Sequence, residues 1–114
     1  MPEKKNPRQG DVYLVKFHPS TGKEIRKYRP AVIMLNSQVD GFVTISPLTS
    51  ILQIKHPQFE TIIKSSKANG LEQTSLLLGW YLRTVDTITL QKRLGQLDSS
   101  DLSKIRTILR HLTS

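Results

Sequence analysis

Residues 9–36 read QGDVYLVKFHPSTGKEIRKYRPAVIMLN, and this stretch decides the fold. Val12, Leu14 and Phe17 predict a strand over Asp11–Phe17, in which the alternation of apolar and polar residues slips near the end. The apolar run at residues 31–35 predicts a second, buried strand. Residues 18–28 between them are polar and basic and predict a long loop. Two strands that flank a charged, glycine-containing loop form a rigid frame for a functional site.

The rest of the chain carries short strand patterns and one helix pattern. The predicted strands are residues 41–46, 58–63, 74–78 and 80–85. We expect residues 47–50 to break the first of these strands, and the last two fit one long strand bent at Gly79 as well. At the C-terminus, apolar residues recur at helical spacing behind three candidate caps: Leu102, Ile105, Ile108, Leu109 and Leu112 follow Asp98, Ser99 and Ser100.

Many short strands before one terminal helix predict a mainly β fold, in the form of a small, strongly bent antiparallel barrel. The pattern alone does not separate an SH3-like barrel from an OB-fold. A chain of 114 residues is one domain by length. We expect residues 1–9 to be a flexible N-terminal tail and residues 10–114 to form the single domain.

A strong basic excess bounds the class of partner. Seventeen Lys and Arg residues against nine Asp and Glu residues give a formal net charge of +8 at pH 7. This excess predicts a polyanionic partner, either nucleic acid or an acidic protein, although a solvated charged face is the alternative.

Composition also bounds the compartment. The chain has no cysteine, which excludes disulfides and thiolate metal sites and fits a reducing cytosol. The first ten residues lack the apolar core of a signal peptide, and no apolar run approaches the roughly 20 residues of a membrane helix. We therefore expect a cytoplasmic protein that does not cross a membrane.

Arg29 and Thr49 are the first candidates for chemistry. A guanidinium is permanently charged and matches a phosphate group with two parallel hydrogen bonds, although arginine beside a strand is often only a surface ion-pair partner. The hydroxyl of Thr49 can donate to a phosphate oxygen or satisfy a turn of the backbone. Ser50 is the nearest rival for the role of Thr49.

The basic loop contains two candidate proton carriers among its cations. Glu24 is the only carboxylate among the loop cations Lys23, Arg26 and Lys27. Its pKa should be lowered by Arg26, Lys27 and Arg29, so a structural ion pair is an alternative. An imidazole titrates near neutral pH, so His18 can act as a base, a stacking ring or a surface residue. The three histidines lack metal-ligand spacing and no carboxylates cluster, so we expect no metal and no other cofactor.

Two segments carry a family resemblance. The first follows Gly-Asp-Val, an alternating strand, Pro-x-x-Gly-x-Glu and Arg-Pro-Ala-Val, at Gly10, Asp11, Val12, Pro19, Gly22, Glu24, Arg29, Pro30, Ala31 and Val32. The second, residues 82–97, is similar to an Ile-Arg-Thr-Ile-Asp run followed by a basic residue, Arg-Leu and Gly. On these residues, over about residues 9–112, the chain resembles the MazF/PemK family of type II toxin-antitoxin endoribonuclease toxins.

The resemblance implies an SH3-like barrel of the CcdB/PemK type that forms a homodimer. It also implies metal-independent, sequence-selective cleavage of single-stranded RNA, usually messenger RNA, and neutralisation by an acidic antitoxin. Attack by a ribose 2′-OH would give a 2′,3′-cyclic phosphate and a 5′-hydroxyl. Arg29 and Thr49 match catalytic positions of the family, and Glu24 matches a glutamate that helps to shape the site.

The chain departs from the family pattern at two places. His18 stands where many relatives have an acidic residue, and Trp80-Tyr81 stands where they usually have an acidic residue and glutamine. We expect Trp80 to pack in the core or a dimer interface, and Tyr81 to stack on a base. Arg83 is a candidate RNA contact, as are His18 and Ser50 with the loop cations.

An alternative function keeps the fold without the nuclease. The related CcdB toxins use the same barrel to bind gyrase, and a degenerate member would bind RNA or its antitoxin only. The pair of Arg29 and Thr49 favours the nuclease, because a gyrase binder does not need it.

Overall fold

The computed structural model describes residues 6–17, 27–36 and 39–114, without the side chains of Phe17 and Lys27. Seven strands precede one helix in the chain. They are β1 (Asp11–Phe17), β2 (Lys27–Leu35), β3 (Phe42–Thr49), β4 (Glu60–Ile63), β5 (Ser75–Leu78), β6 (Arg83–Asp86) and β7 (Leu90–Gln96), with a 3₁₀ turn at Thr87–Thr89 and helix α1 at Ser99–Thr113.

All strand pairs are antiparallel, in the order β4-β5-β3-β2-β1-β7, and β6 also pairs with β3. One edge of β3 faces β2, while the other faces β6 along its first half and β5 along its second half. The predicted mainly β fold with a C-terminal helix is confirmed. Within the described part of the chain, β4 and β7 end the order without pairing to each other, so the strands do not close into a ring.

Successive residues of β2 pack alternately in two apolar clusters on opposite faces of the strand. Val32 and Met34 pack in a cluster that includes Ile105 of α1, whereas Ala31 and Ile33 pack in a second cluster with residues of β1 and β3. Residues 31–34 are therefore all buried, as an apolar run without polar interruptions requires. The helix begins where Asp98 accepts a hydrogen bond from the amide of Asp101 at 2.8 Å, and Asp98 was one of the three predicted caps.

The prediction that residues 47–50 break a strand was wrong, because β3 continues through Pro47 to Thr49. Pro47 has no N–H to donate, yet the strand survives because it changes partners there. Ala31 opposite Pro47 is the last pair with β2, and Leu48 opposite Leu77 begins the pairing with β5. The single long strand considered for residues 74–85 is also absent, since residues 79–82 separate β5 from β6.

Other boundaries differ more modestly. β2 begins at Lys27, so the last two residues of the predicted loop belong to a strand, and β4 is two residues shorter than predicted at its start. Gln9, in the predicted tail, donates from its amide N–H to Oδ1 of Asn36 at 2.8 Å and from Nε2 to the Met34 carbonyl at 2.9 Å. Within the described ranges, no helix is long and apolar enough to cross a membrane.

Candidate active site

Arg29 and Thr49 each lie two residues beyond the point where β2 and β3 part. The pairing of the two strands ends with Ala31 opposite Pro47. That register, continued by two residues on each strand, would bring Arg29 and Thr49 opposite each other, but Thr49 pairs with Leu76 of β5 instead. Residues opposite each other in an antiparallel pair lie on one face, as do alternate residues along a strand, so both side chains project from the same face.

The same face continues across the bent sheet. Thr49 lies opposite Leu76 of β5, and Leu78, two residues further on, lies opposite Glu60 of β4. Arg83 of β6 lies opposite Ile45, which alternates with Thr49 along β3. Two arginines, a threonine and a buried glutamate therefore share one face of the sheet.

The guanidinium of Arg29 is accessible. Arg29 is exposed, and its side chain makes no hydrogen bond or ion pair with the other residues that the structure describes. Its backbone is fixed, because it pairs with the buried Val15 of β1 on one side and is joined to Pro30 on the other. A permanent charge on a rigid strand end suits the recognition of an anion that arrives from solvent.

Thr49 is half-buried, and its hydroxyl satisfies a turn of the backbone, which is one of the two roles that the sequence allowed. Its Oγ1 accepts a hydrogen bond from the amide of Ile51 at 3.2 Å. This bond uses a lone pair and fixes the hydroxyl while the proton is still able to donate to a phosphate oxygen. The structural and the functional interpretations of Thr49 are thus compatible, and Ser50 beside it is exposed.

Glu60 is a residue of this face that the sequence reasoning missed. It is 5% exposed, and its Oε1 accepts hydrogen bonds from the amides of Lys55 at 2.8 Å and His56 at 3.0 Å. Its Oε2 accepts from Nε1 of Trp80 at 2.7 Å. Burial raises the pKa of Glu60, but these three hydrogen bonds lower it by a larger amount. The pKa of Glu60 therefore lies below its ordinary value. The available signal was that Glu60 is the only acidic residue between residues 51 and 71.

Trp80 and Tyr81 form an exposed aromatic pair, which contradicts packing of Trp80 in the core of the chain. The two rings stack with centroids 5.4 Å apart and an interplanar angle of 17°. They are 43% and 44% exposed. His56 meets the Trp80 ring edge-on at 6.1 Å, so Trp80 is held from two sides while its surface faces solvent.

The remaining candidates have different positions. Arg83 is half-buried on the shared face. Arg93 forms an ion pair with the buried Asp11 at 3.2 Å, which gives it a structural role. Asp86 caps the 3₁₀ turn by accepting from the amide of Ile88 at 3.0 Å.

Part of the predicted site lies outside the described residues. This holds for His18, Lys23, Glu24 and Arg26, and for the side chain of Lys27. Among the residues that the structure describes, no group of three or more His, Cys, Asp or Glu side chains is placed to hold a metal ion.

The low pKa of Glu60 predicts a pH-dependent stability. A carboxylate whose pKa is lowered by folding stabilises the fold above the unfolded value, and this contribution disappears as the pH falls through the folded value. We expect Glu60→Gln to lower the urea midpoint at pH 7, and the difference from wild type to shrink below about pH 4.5, the ordinary glutamate value. Glu72→Gln, at an exposed acid, is the matched control. A deficit of the same size at pH 7 and pH 3 would contradict this role.

The fold and this face define a small, mainly β protein with an accessible arginine and a fixed threonine hydroxyl on one face of the sheet. A family model described as a PemK-like, MazF-like toxin of type II toxin-antitoxin systems matches residues 8–113. The chain belongs to this family, so the resemblance stated from the sequence is confirmed.

Individual relatives agree with the family. The chain is 24% identical over 111 residues to endoribonuclease MazF9 of Mycobacterium tuberculosis, covering 90% of this chain and 92% of that protein. A MazE-MazF crystal structure from Deinococcus radiodurans matches with a TM-score of 0.77 at 23% identity, over 96% of this chain and 97% of that one. An endoribonuclease in complex with its cognate antitoxin, from a Mycobacterial species, matches with a TM-score of 0.71 at 19% identity, over 94% of each chain. These two structures share the fold.

Proposed function

We propose that this chain is a metal-independent endoribonuclease toxin that cleaves single-stranded RNA, usually messenger RNA, at a short sequence. The observation that carries the proposal is that Arg29 and Thr49 lie on one face of the sheet, each two residues beyond the last β2–β3 pair. A net charge of +8 supports a polyanionic substrate, and a relative over nearly the whole chain is named an endoribonuclease.

The reaction is attack of a ribose 2′-OH on the adjacent phosphorus. A 2′-O–P bond forms and the P–O5′ bond breaks, giving a 2′,3′-cyclic phosphate and a 5′-hydroxyl. Negative charge grows on the two nonbridging oxygens, where the Arg29 guanidinium stabilises it and Thr49 donates a hydrogen bond.

Proton transfer needs other groups. The 2′-OH loses a proton and the leaving 5′-oxygen gains one, and each positioned acid or base contributes about 10²–10⁴-fold. Arginine's very high pKa makes Arg29 a poor proton donor. Glu24 and His18 of the basic loop both remain candidates for the base.

RNA is bound by charge and by stacking. The proposed contacts beyond the reacting group are His18, Lys23, Arg26, Lys27, Ser50, Tyr81 and Arg83. Arg83 is supported by its place on the same face as Thr49, and Tyr81 by its exposure. Phosphate contacts by the cations position the strand, whereas stacking holds unpaired bases.

We further propose a cytoplasmic homodimer that an acidic antitoxin neutralises. Exposed apolar side chains such as Ile51, Leu52 and Ile54 leave surface for a second protein chain to cover. A structure with the same fold contains an endoribonuclease with its cognate antitoxin, and the excess of cations on this chain suits an acidic partner.

Incubation of the purified protein with long single-stranded RNA in EDTA tests the function. We expect cleavage at a recurrent short sequence, with 2′,3′-cyclic phosphate and 5′-hydroxyl ends. Products with 3′-hydroxyl ends would refute the 2′-OH mechanism. RNA that stays intact across several long substrates, with RNA or antitoxin binding preserved, would establish the non-catalytic binding module instead.

A further inference from the structure

The Glu60 carboxylate joins two segments that border the candidate active site. Its first oxygen holds the backbone at residues 55 and 56, in the connection that leaves β3 after Thr49. Its second oxygen holds the indole N–H of Trp80, in the connection between β5 and β6. Glu60 therefore fixes the orientation of a ring that is 43% exposed.

The aromatic pair lies beside β3, the strand that carries Thr49. Gly79, which precedes Trp80, is fixed to β3 because its carbonyl accepts from the Ser46 hydroxyl at 3.3 Å. Tyr81 closes a turn by donating from its amide to the Leu78 carbonyl at 3.0 Å. The pair thus runs along the edge of β3 opposite the β2 edge, two strand spacings or roughly 10 Å from the strand of Arg29.

The chemistry of this surface suits a nucleobase. Every base has a flat π-face, and a ring already stacked and hydrogen-bonded loses little freedom when a base covers it. Arg83, two residues after Tyr81, lies on the face of Thr49 and suits the phosphate that accompanies the base. The aliphatic side chains exposed at residues 51–54 lack these features and suit a protein partner better.

We propose that the stacked Trp80–Tyr81 pair is the surface on which one unpaired nucleobase of the RNA stacks next to the cleaved bond, and that Glu60 is the positioning residue that orients it. This proposal rests on the proposed function, because it assigns base preference to that same site. Base preference then comes partly from stacking strength and partly from the flat shape that Glu60 maintains.

Trp80 is the only tryptophan of the chain, so its fluorescence reports directly on the surface. Titration with a 2′-O-methyl oligonucleotide, which lacks the attacking hydroxyl, should quench the emission as a base stacks. Removal of one stacked ring, in Tyr81→Leu, should weaken this binding by about 5- to 150-fold. Phe42→Leu is the control, since this ring is 45% exposed but lies seven residues before Thr49, roughly 23 Å along β3.

Cleavage kinetics separate positioning from general damage. Tyr81→Leu should raise KM by at least about 5-fold, change kcat less than 2-fold and broaden the base found at one position beside the cleaved bond. Trp80→Phe keeps a ring but loses the N–H, and should match Glu60→Gln in KM. The double variant should be no worse than the worse single variant, because both remove one interaction.

Each other outcome is decisive. Unchanged KM and base preference in Tyr81→Leu, with cleavage intact, would overturn the stacking surface and leave the nuclease standing. Trp80 fluorescence that changes with protein concentration but not on addition of the oligonucleotide would mean that a second copy of the chain covers the aromatic pair. That result would also overturn the stacking surface. Quenching by the oligonucleotide from a protein that never cleaves RNA would support the stacking surface and refute the proposed function.

Discussion

Arg29→Ala should lower the cleavage of single-stranded RNA by at least about 10²-fold, the usual cost of removing one donor to a developing negative charge. The guanidinium carries a permanent positive charge, and it lies on the same face of the sheet as the fixed hydroxyl of Thr49. Its contact strengthens as the phosphorane-like charge develops, so kcat should fall more than KM rises. Single-turnover cleavage of a short RNA substrate measures the effect directly.

The fold should survive this substitution, because the exposed Arg29 side chain has no hydrogen-bond or ion-pair partner among the described residues. Its melting temperature should stay close to that of wild type. Arg110→Ala removes an equal charge from an exposed position on α1 and should leave the rate within about 2-fold. Thr49→Val should act in the same direction as Arg29→Ala but less. Wild-type turnover by a folded Arg29→Ala protein would remove Arg29 from the site.

The sequence predicts the elements that depend on local pattern. Alternation over Asp11–Phe17 and helical spacing after Asp98 predict β1 and α1 close to their observed bounds. β7 was missed because LQKRLGQ buries only its first residue and its glycine, which leaves no alternation to read. Partner strands impose its extended conformation, since β7 pairs along β1.

The candidate site likewise combines features that follow from local sequence with features that depend on contacts between distant residues. Arg29 next to Pro30 is a local motif. Its place on the same face as Thr49 follows once β2 and β3 are paired. The role of Glu60 depends on contacts that pattern cannot give, because its partners include Trp80, twenty residues away along the chain. The strand break predicted at residues 47–50 was wrong because the missing N–H of Pro47 costs no strand hydrogen bond where β3 changes partners.

Gly70→Ala should be among the most destabilising single substitutions in this chain. Gly70 has φ +69°, a left-handed conformation that costs a residue with a Cβ about 1–2 kcal/mol. A Cβ there would also lie 2.1 Å from the carbonyl oxygen of Leu94, a backbone atom in β7 that cannot rotate away. The turn and β7 are further joined by the Gln96 amide, which donates to the Ala68 carbonyl at 2.9 Å. Relief of the clash must therefore separate the turn from the sheet.

Gly41→Ala isolates the conformational part of this cost. Gly41 has a similar φ of +89°, but a Cβ there meets no atom within 4 Å. We expect urea denaturation to show a loss of about 1 kcal/mol for Gly41→Ala and at least about 3 kcal/mol for Gly70→Ala, the excess measuring the contact with β7. Equal losses would mean that the turn moves away from Leu94 at little cost. Because neither glycine belongs to the face of Arg29 and Thr49, the cleavage rate per folded molecule should stay near wild type in both variants, which separates loss of fold from loss of chemistry.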